Sequence, residues 1–128
     1  MCFDSTVFLI DEDAAVLDAL SISLRMAGFK VEVYSSGKAF LDACNGDRPG
    51  CLLVDLSQPE MEGLKVQQEL IRRNISIPII YMIEIGTIRD NLTDMHSGAF
   101  CFLEKPIPRP LLLETIRGAM QQDLDRSR

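Results

Sequence analysis

Several features that mark other classes of protein are missing from this sequence of 128 residues. It contains a single histidine, His96, and no cysteines spaced as C-x-x-C, so it lacks the ligand spacing of a zinc site. Its four cysteines lie in or near apolar runs: Cys2, Cys44, Cys51 and Cys101. Because nothing else suggests secretion, this pattern favours reduced thiols over a disulfide framework.

Long apolar runs and an excess of positive charge are missing as well. No stretch approaches the roughly 20 apolar residues of a membrane span. No basic segment followed by an apolar one opens the chain, so no signal peptide is predicted. The net charge of −6 argues against direct binding of nucleic acid or of an anionic membrane. We therefore expect a cytoplasmic domain.

What the sequence does contain is a regular alternation of two apolar patterns. Five short apolar runs typical of strands alternate with five segments that have the apolar spacing of helices. The predicted strands are 6–10, 31–34, 51–55, 77–83 and 99–103, and the predicted helices are 14–27, 35–43, 64–73, 87–98 and 109–124. This alternation predicts a three-layer α/β domain, a parallel sheet of flavodoxin-like order 2-1-3-4-5 with helices on both faces.

Polar and turn-forming residues mark the ends of these elements. Asp13 is the predicted N-cap of the first helix, and Pro59 with Gly63 predicts a turn after the third strand. The last helix runs into a polar, charged segment. We expect the domain to span 1–122, followed over 123–128 by a tail or by the start of a linker to an output domain.

Three of the predicted strands end in ionisable residues. Asp11, Glu12 and Asp13 follow the first strand, Asp55 ends the third, and Lys105 follows the fifth. In the expected strand order, the first and third strands are neighbours whose ends share one crevice. Each feature alone has an ordinary explanation, as a helix cap, a turn former or a loop lysine.

Together, these residues have the chemistry of a phosphoryl-transfer site. Carboxylates such as Asp11, Glu12 and Asp55 suit Mg²⁺, which takes one or two protein carboxylates and keeps waters and a phosphate oxygen. Lys105 supplies a positive charge suited to a phosphate. A carboxylate can also act as nucleophile, so the pattern is consistent with transfer of a phosphoryl group onto Asp55.

Four motifs resemble those of the receiver domain of bacterial two-component response regulators. They are Phe8-Leu9-Ile10-Asp11-Glu12-Asp13, the segment 55–63, the segment 97–103, and Glu104-Lys105-Pro106. The resemblance extends to about Gln122 and is strongest to receivers that precede a helix-turn-helix DNA-binding domain. Because the last helix runs straight into a polar, charged end, we expect a fragment of a longer regulator and not a stand-alone receiver.

The resemblance implies a function and a set of site residues. Asp55 would accept a phosphoryl group from the phosphohistidine of a sensor histidine kinase, and Lys105 would contact that group. Mg²⁺ or Mn²⁺ would be bound by Asp11 or Glu12, by Asp55 and by the main-chain carbonyl of Ser57. Lys105–Pro106 would be a cis peptide. Such a domain is a signalling phosphoacceptor, with at most weak self-phosphorylation and self-dephosphorylation, and not an enzyme.

One position departs from the pattern of the family that this chain resembles. Such receivers usually end strand four with Thr or Ser followed by a small residue, whereas this chain has Ile83 and Glu84. The hydroxyl normally binds the phosphoryl group and lets a strand-five aromatic residue turn inward, and Phe102 matches that aromatic position. We hypothesise that Asp55 is still phosphorylated but that its coupling to strand four is weakened or altered.

The resemblance also predicts a surface for output. Receivers signal through the face of the fourth helix, fifth strand and fifth helix, which is expected here to support a homodimer. Its candidate residues are Leu111, Leu112, Ile116 and Met120, for which core packing is the alternative.

Two other functions compete with this interpretation. One is a pseudo-receiver, an interaction module that is never phosphorylated. Ile83 and Glu84 favour it, and it is opposed by the intact site residues Asp11, Glu12, Asp55 and Lys105. The other is a phosphatase of the haloacid-dehalogenase kind, suggested by Asp11-x-Asp13 after the first strand. This second alternative is disfavoured because so short a chain contains neither the cap domain nor the late acidic pair of such phosphatases.

Overall fold

The computed structural model describes residues 5–44, 48–56, 60–84 and 99–126. Within these ranges the elements are β1 (Thr6–Ile10), α1 (Ala14–Met26), β2 (Lys30–Tyr34), α2 (Gly37–Ala43), β3 (Gly50–Asp55), α3 (Glu60–Arg72), β4 (Ile79–Ile83), β5 (Ala99–Glu104) and α4 (Arg109–Arg126). Ser57, Pro59 and the helix predicted over 87–98 lie outside the described residues. None of the helices in the described ranges has the length and apolar character needed to cross a bilayer.

The five strands form one parallel sheet in the order β2-β1-β3-β4-β5. The predicted fold class and strand order are therefore confirmed. β1, β3 and β4 are flanked by strands on both sides, and their apolar runs are buried because both faces of the sheet are covered by helices.

Alternate residues of each central strand enter two separate hydrophobic clusters. In β1, Val7 and Leu9 pack with residues of α1 and α4. Phe8 and Ile10 face the opposite side, where they pack with residues of α2 and α3. Because both faces are covered in this way, β1 is apolar from Val7 to Ile10 and β3 from Cys51 to Val54, so Asp11 and Asp55 stand out in the sequence.

The helix starts and stops follow local side-chain chemistry. Asp13 caps α1 by accepting hydrogen bonds from the backbone N–H groups of Ala15 and Val16, as predicted. Ser36 caps α2 by accepting from Ala39 N–H at 3.0 Å. Gly28 follows α1 with a φ of +98°, a conformation that favours glycine, so the chain turns there into β2.

Two helix boundaries differ from those that the sequence predicts. Helix α3 begins at Glu60, so Gly63 lies within it and not in a turn. A glycine inside a helix costs only about 1 kcal/mol, which the buried side chains of Val66 and Leu70 offset. Helix α4 continues to Arg126, and Asp123, assigned above to a tail, is buried at 4% exposure.

Candidate phosphoacceptor site

Three side chains meet at the carboxyl edge of the sheet, as their positions at strand ends predict. Asp11 follows β1, Asp55 ends β3, and Lys105 follows β5. The Lys105 Nζ lies 2.5 Å from Asp55 Oδ2, so the lysine reaches across β4 to form an ion pair. The side chain of Asp55 is 9% exposed and that of Lys105 is 28% exposed, which leaves the pair largely shielded from water.

Asp11 is a buried carboxylate that one hydrogen bond ties to the backbone. Its Oδ1 accepts a hydrogen bond from the backbone N–H of Asp13 at 2.9 Å. Its Oδ2 is buried and has no hydrogen-bond partner among the described residues. The pKa of Asp11 is raised to about 6, mainly by burial and also by the neighbouring carboxyl group of Asp55, against the lowering effects of the Asp13 N–H and the Lys105 charge.

Lys105 is held by its main chain as well as by its charge. Its backbone N–H donates to the Ile83 carbonyl at 2.8 Å, and the Lys105–Pro106 peptide bond is cis. Burial alone lowers the pKa of Lys105, but the hydrogen bond to Asp55 and the charges of Asp55, Glu84 and Asp11 outweigh it and raise this pKa above its usual value. The lysine is therefore fully protonated at neutral pH.

The donor set fits a small divalent cation. Asp11 and Asp55 provide two adjacent carboxylates, and the unpartnered Asp11 Oδ2 is an oxygen that a cation can satisfy. Glu12 is exposed, and Ser57, whose carbonyl is an expected ligand, lies outside the described residues. Within those residues no three or more Asp, Glu, His or Cys side chains form a metal-binding group.

The side chain of Ile83, at the end of β4, has no hydrogen-bond donor. Ile83 is 5% exposed and packs in the cluster under α2 and α3. Glu84, the next residue, is exposed, and its Oε1 lies 3.6 Å from Lys105 Nζ. In place of the Thr or Ser and small residue, the chain therefore has a buried apolar side chain and a carboxylate next to the lysine.

Comparison with known proteins identifies the family. Residues 7–117 match the family described as "Response regulator receiver domain". The chain belongs to this family. Response regulator protein TodT of Pseudomonas putida is 39% identical over 117 residues, which cover 91% of this chain and 52% of TodT. Transcriptional regulatory protein FixJ of Bradyrhizobium diazoefficiens is 34% identical over 116 residues, which cover 91% of this chain and 57% of FixJ.

The solved structures agree with the family assignment. Response regulator StyR superimposes with a TM-score of 0.88 at 34% identity, covering 97% of this chain and 63% of that of StyR. The chain thus spans about half the length of the curated relatives that it matches. It is a receiver domain of two-component response regulators, a family of signalling domains that partner with histidine kinases and generally bind Mg²⁺ at the phosphorylation site. The family match sets aside the phosphatase alternative.

A buried polar contact of this receiver domain was missed from the sequence. The Tyr81 hydroxyl on β4 donates to Gln67 Oε1 on α3 at 2.6 Å, and both residues are buried. Phe102, the strand-five aromatic residue, stacks on Tyr81 with ring centroids 5.3 Å apart. Gln67 adjoins the apolar stripe of α3 in the sequence, but its partner is set only by the packing of α3 beside β4.

The apolar residues predicted for the output face mostly lie elsewhere. Leu112, Ile116 and Met120 are buried in the cluster between the sheet and α1. Of the four predicted residues, only Leu111, at 44% exposure, lies on the surface of α4. Core packing, the alternative stated for these residues, therefore holds for Leu112, Ile116 and Met120, because the stripe that packs α4 on the sheet has the same helical spacing as a docking stripe would have.

Proposed function

We propose that this receiver domain accepts a phosphoryl group on Asp55 from the phosphohistidine of a sensor histidine kinase, in the cytoplasm. The observation that carries the proposal is the Lys105–Asp55 contact beside the buried, unpartnered Asp11 oxygen. The buried Asp11 destabilises the site at neutral pH. This arrangement of two carboxylates and a protonated amine therefore fits phosphoryl transfer better than it fits a structural ion pair.

Each residue has a defined part in this transfer. One carboxylate oxygen of Asp55 attacks the phosphorus atom, the P–N bond to the donor histidine breaks, and the imidazole leaves with the bonding electron pair. Lys105 neutralises charge on the phosphoryl oxygens. Asp11 and Asp55, with Glu12 and the Ser57 carbonyl as further candidate ligands, would hold Mg²⁺ or Mn²⁺. When bound, this metal would supply charge neutralisation and orientation of the phosphoryl oxygens.

Signalling from Asp55 is expected to be weak through strand four. Ile83 has no hydroxyl with which to bind the phosphoryl group, and its buried side chain is fixed among apolar neighbours. A hydrogen bond to a charged group contributes about 1.5–3 kcal/mol. Its loss removes much of the difference in free energy that shifts a receiver to its active state.

The output of this domain is a second part of the proposal. We propose that it regulates transcription through an output domain, in line with the relative FixJ, a transcriptional regulatory protein. We also propose a homodimer through the face that includes β5 and the exposed Leu111 of α4. The helix predicted over 87–98, which would complete this face, lies outside the described residues.

One observation favours a second candidate function, the pseudo-receiver. Ile83 and Glu84 together replace the hydroxyl and the small residue, and Glu84 competes for the lysine that would bind the phosphoryl group. In this case the domain would act by protein contacts alone and Asp55 would stay unmodified.

An intact-mass spectrum separates the two candidates. The folded domain is incubated with Mg²⁺ and a small phosphodonor, beside an Asp55→Asn variant and an EDTA control. One phosphoryl adduct that is absent from both controls supports the phosphoacceptor, whereas no adduct on the folded wild type supports the pseudo-receiver.

A further inference from the structure

Glu84 lies next to the lysine of the site, on its solvent side. Its Oε1 is 3.6 Å from Lys105 Nζ, which in turn is 2.5 Å from Asp55. The exposed fraction of the side chain rises from 9% for Asp55 through 28% for Lys105 to 60% for Glu84. A donor that approaches Lys105 from solvent therefore comes within Coulombic range of the Glu84 carboxylate.

The backbone keeps this carboxylate near the lysine. β4 and β5 pair in parallel with Ile83 opposite Glu104, and the N–H of Lys105 donates to the carbonyl of Ile83. Glu84 and Lys105 thus follow directly from two paired strand ends, so their main chains lie side by side.

We propose that Glu84 is a selectivity residue that disfavours small dianionic phosphodonors and favours donors that bring less negative charge to Asp55. The proposal rests on the proposed phosphoacceptor function of Asp55. Its physical basis is that a fixed negative charge repels an incoming dianion more than a monoanion, by an amount that is appreciable at a few ångströms and is screened by salt. Glu84 acts on the approach of the donor and on the contact between the donor and Lys105. It does not act on the bond that forms between Asp55 and phosphorus.

Two small donors differ in charge but deliver the same group. With acetyl phosphate, a dianion at neutral pH, a bond forms between Asp55 and phosphorus while the P–O bond breaks and acetate leaves with the electron pair. With phosphoramidate, a monoanion that carries its protons on nitrogen, the P–N bond breaks and neutral ammonia leaves. The product on Asp55 is identical in both cases, so the ratio of the two rates reports how the site treats donor charge.

The test compares the rates of adduct formation with both donors at saturating Mg²⁺. Glu84→Gln is expected to increase the ratio of the acetyl phosphate rate to the phosphoramidate rate about three- to tenfold. Glu84→Asp, which keeps the charge, should retain most of the wild-type discrimination. At high ionic strength, the difference between wild type and Glu84→Gln should shrink, because exposed charges are screened.

The matched control is Asp42→Asn on α2, which removes the same charge from an exposed lysine–carboxylate pair of the same kind. It should leave the donor ratio unchanged. An unchanged ratio in Glu84→Gln, or an equal change in Asp42→Asn, would overturn the selectivity role while leaving the phosphoacceptor function intact. No adduct with either donor, in wild type and in Glu84→Gln alike, would overturn the phosphoacceptor function itself and the selectivity role with it.

Discussion

The ammonium group of Lys105 lies 2.5 Å from Asp55 Oδ2, although 50 residues separate the two in sequence. This contact exists because two parallel strands end at the same edge of the sheet, with β4 between them. It places a positive charge beside strand ends that carry two carboxylates, where a phosphoryl group would arrive.

Replacement of Lys105 tests the role of that charge. Lys105→Ala should lower the rate of adduct formation on Asp55 about 100-fold or more, since removal of a group that stabilises developing charge typically has an effect of this order. The rate is measured by intact mass at fixed donor and Mg²⁺ concentration. Lys105→Arg, which keeps the charge with a different shape, should retain a larger part of the rate. Equal rates in wild type and Lys105→Ala would contradict the assignment.

Asp11 should make the metal-free domain less stable at neutral pH. The pKa of Asp11 is raised from 3.8 to about 6 in the folded protein. The stability linked to this shift is fully present below pH 3.8, where the carboxyl group is protonated, and is lost as pH rises through about 6. Asp11→Asn should therefore raise the free energy of unfolding at neutral pH in EDTA, by on the order of 1–3 kcal/mol. The gain should disappear toward pH 4.

The measurement is urea unfolding across this pH range, with the exposed Asp18→Asn on α1 as a charge-matched control. Added Mg²⁺ should stabilise wild type and not Asp11→Asn, because a ligand stabilises only the folded state that binds it. A wild-type protein that is at least as stable as Asp11→Asn in EDTA at neutral pH would mean that the buried carboxylate is satisfied without a metal.

A hydroxyl at position 83 should restore coupling to the dimer. Ile83→Thr should strengthen dimerisation of the phosphorylated domain by about tenfold or more, given a hydrogen bond of about 1.5–3 kcal/mol to a charged group. Ile83→Val has the same shape as the Thr variant without the hydroxyl and should behave as wild type. Sedimentation velocity with and without phosphorylation measures the effect, and identical behaviour of the Thr and Val variants would remove the basis of the hypothesis.

Asp123 should mark the end of the folded unit better than Gln122 does. Its Oδ2 accepts a hydrogen bond from the N–H of Gly50 at 3.0 Å, between the end of α4 and the start of β3. Asp123→Ala should lower the free energy of unfolding by about 1–3 kcal/mol, because the buried Gly50 N–H loses its acceptor. Truncation after Gln122 should do at least as much, and truncation after Arg126 should have little effect.

Urea midpoints measure these differences, with the exposed Asp125→Ala as the control from the same turn of α4. A truncation after Gln122 that is as stable as the full chain would restore the boundary at that residue.

The parts of the fold that follow from local patterns were predictable. The apolar runs of the central strands follow from burial on two faces, and the Asp13 cap follows from unpaired helix N–H groups. Both effects act within a few residues. The parallel order then brought Asp11, Asp55 and Lys105 together, because all parallel strands end at one edge.

The contacts between distant segments were not predictable in the same way. Gln67 with Tyr81, and Asp123 with Gly50, are polar pairs whose partners are set by helix packing and not by neighbouring residues. The sequence places Glu84 after the fourth strand, but its pairing with Lys105 depends on the register of β4 and β5. The start of α3 was misplaced because Gly63 breaks the local pattern while tertiary packing keeps the helix.

The site of phosphorylation tests the central claim most directly. After incubation with phosphodonor and Mg²⁺, borohydride converts an aspartyl phosphate to homoserine, and peptide mapping locates the altered residue. We predict conversion at Asp55 alone, lost on removal of Mg²⁺. Conversion at Asp11 or Asp13, or none at Asp55 in a protein that is folded, would contradict the account.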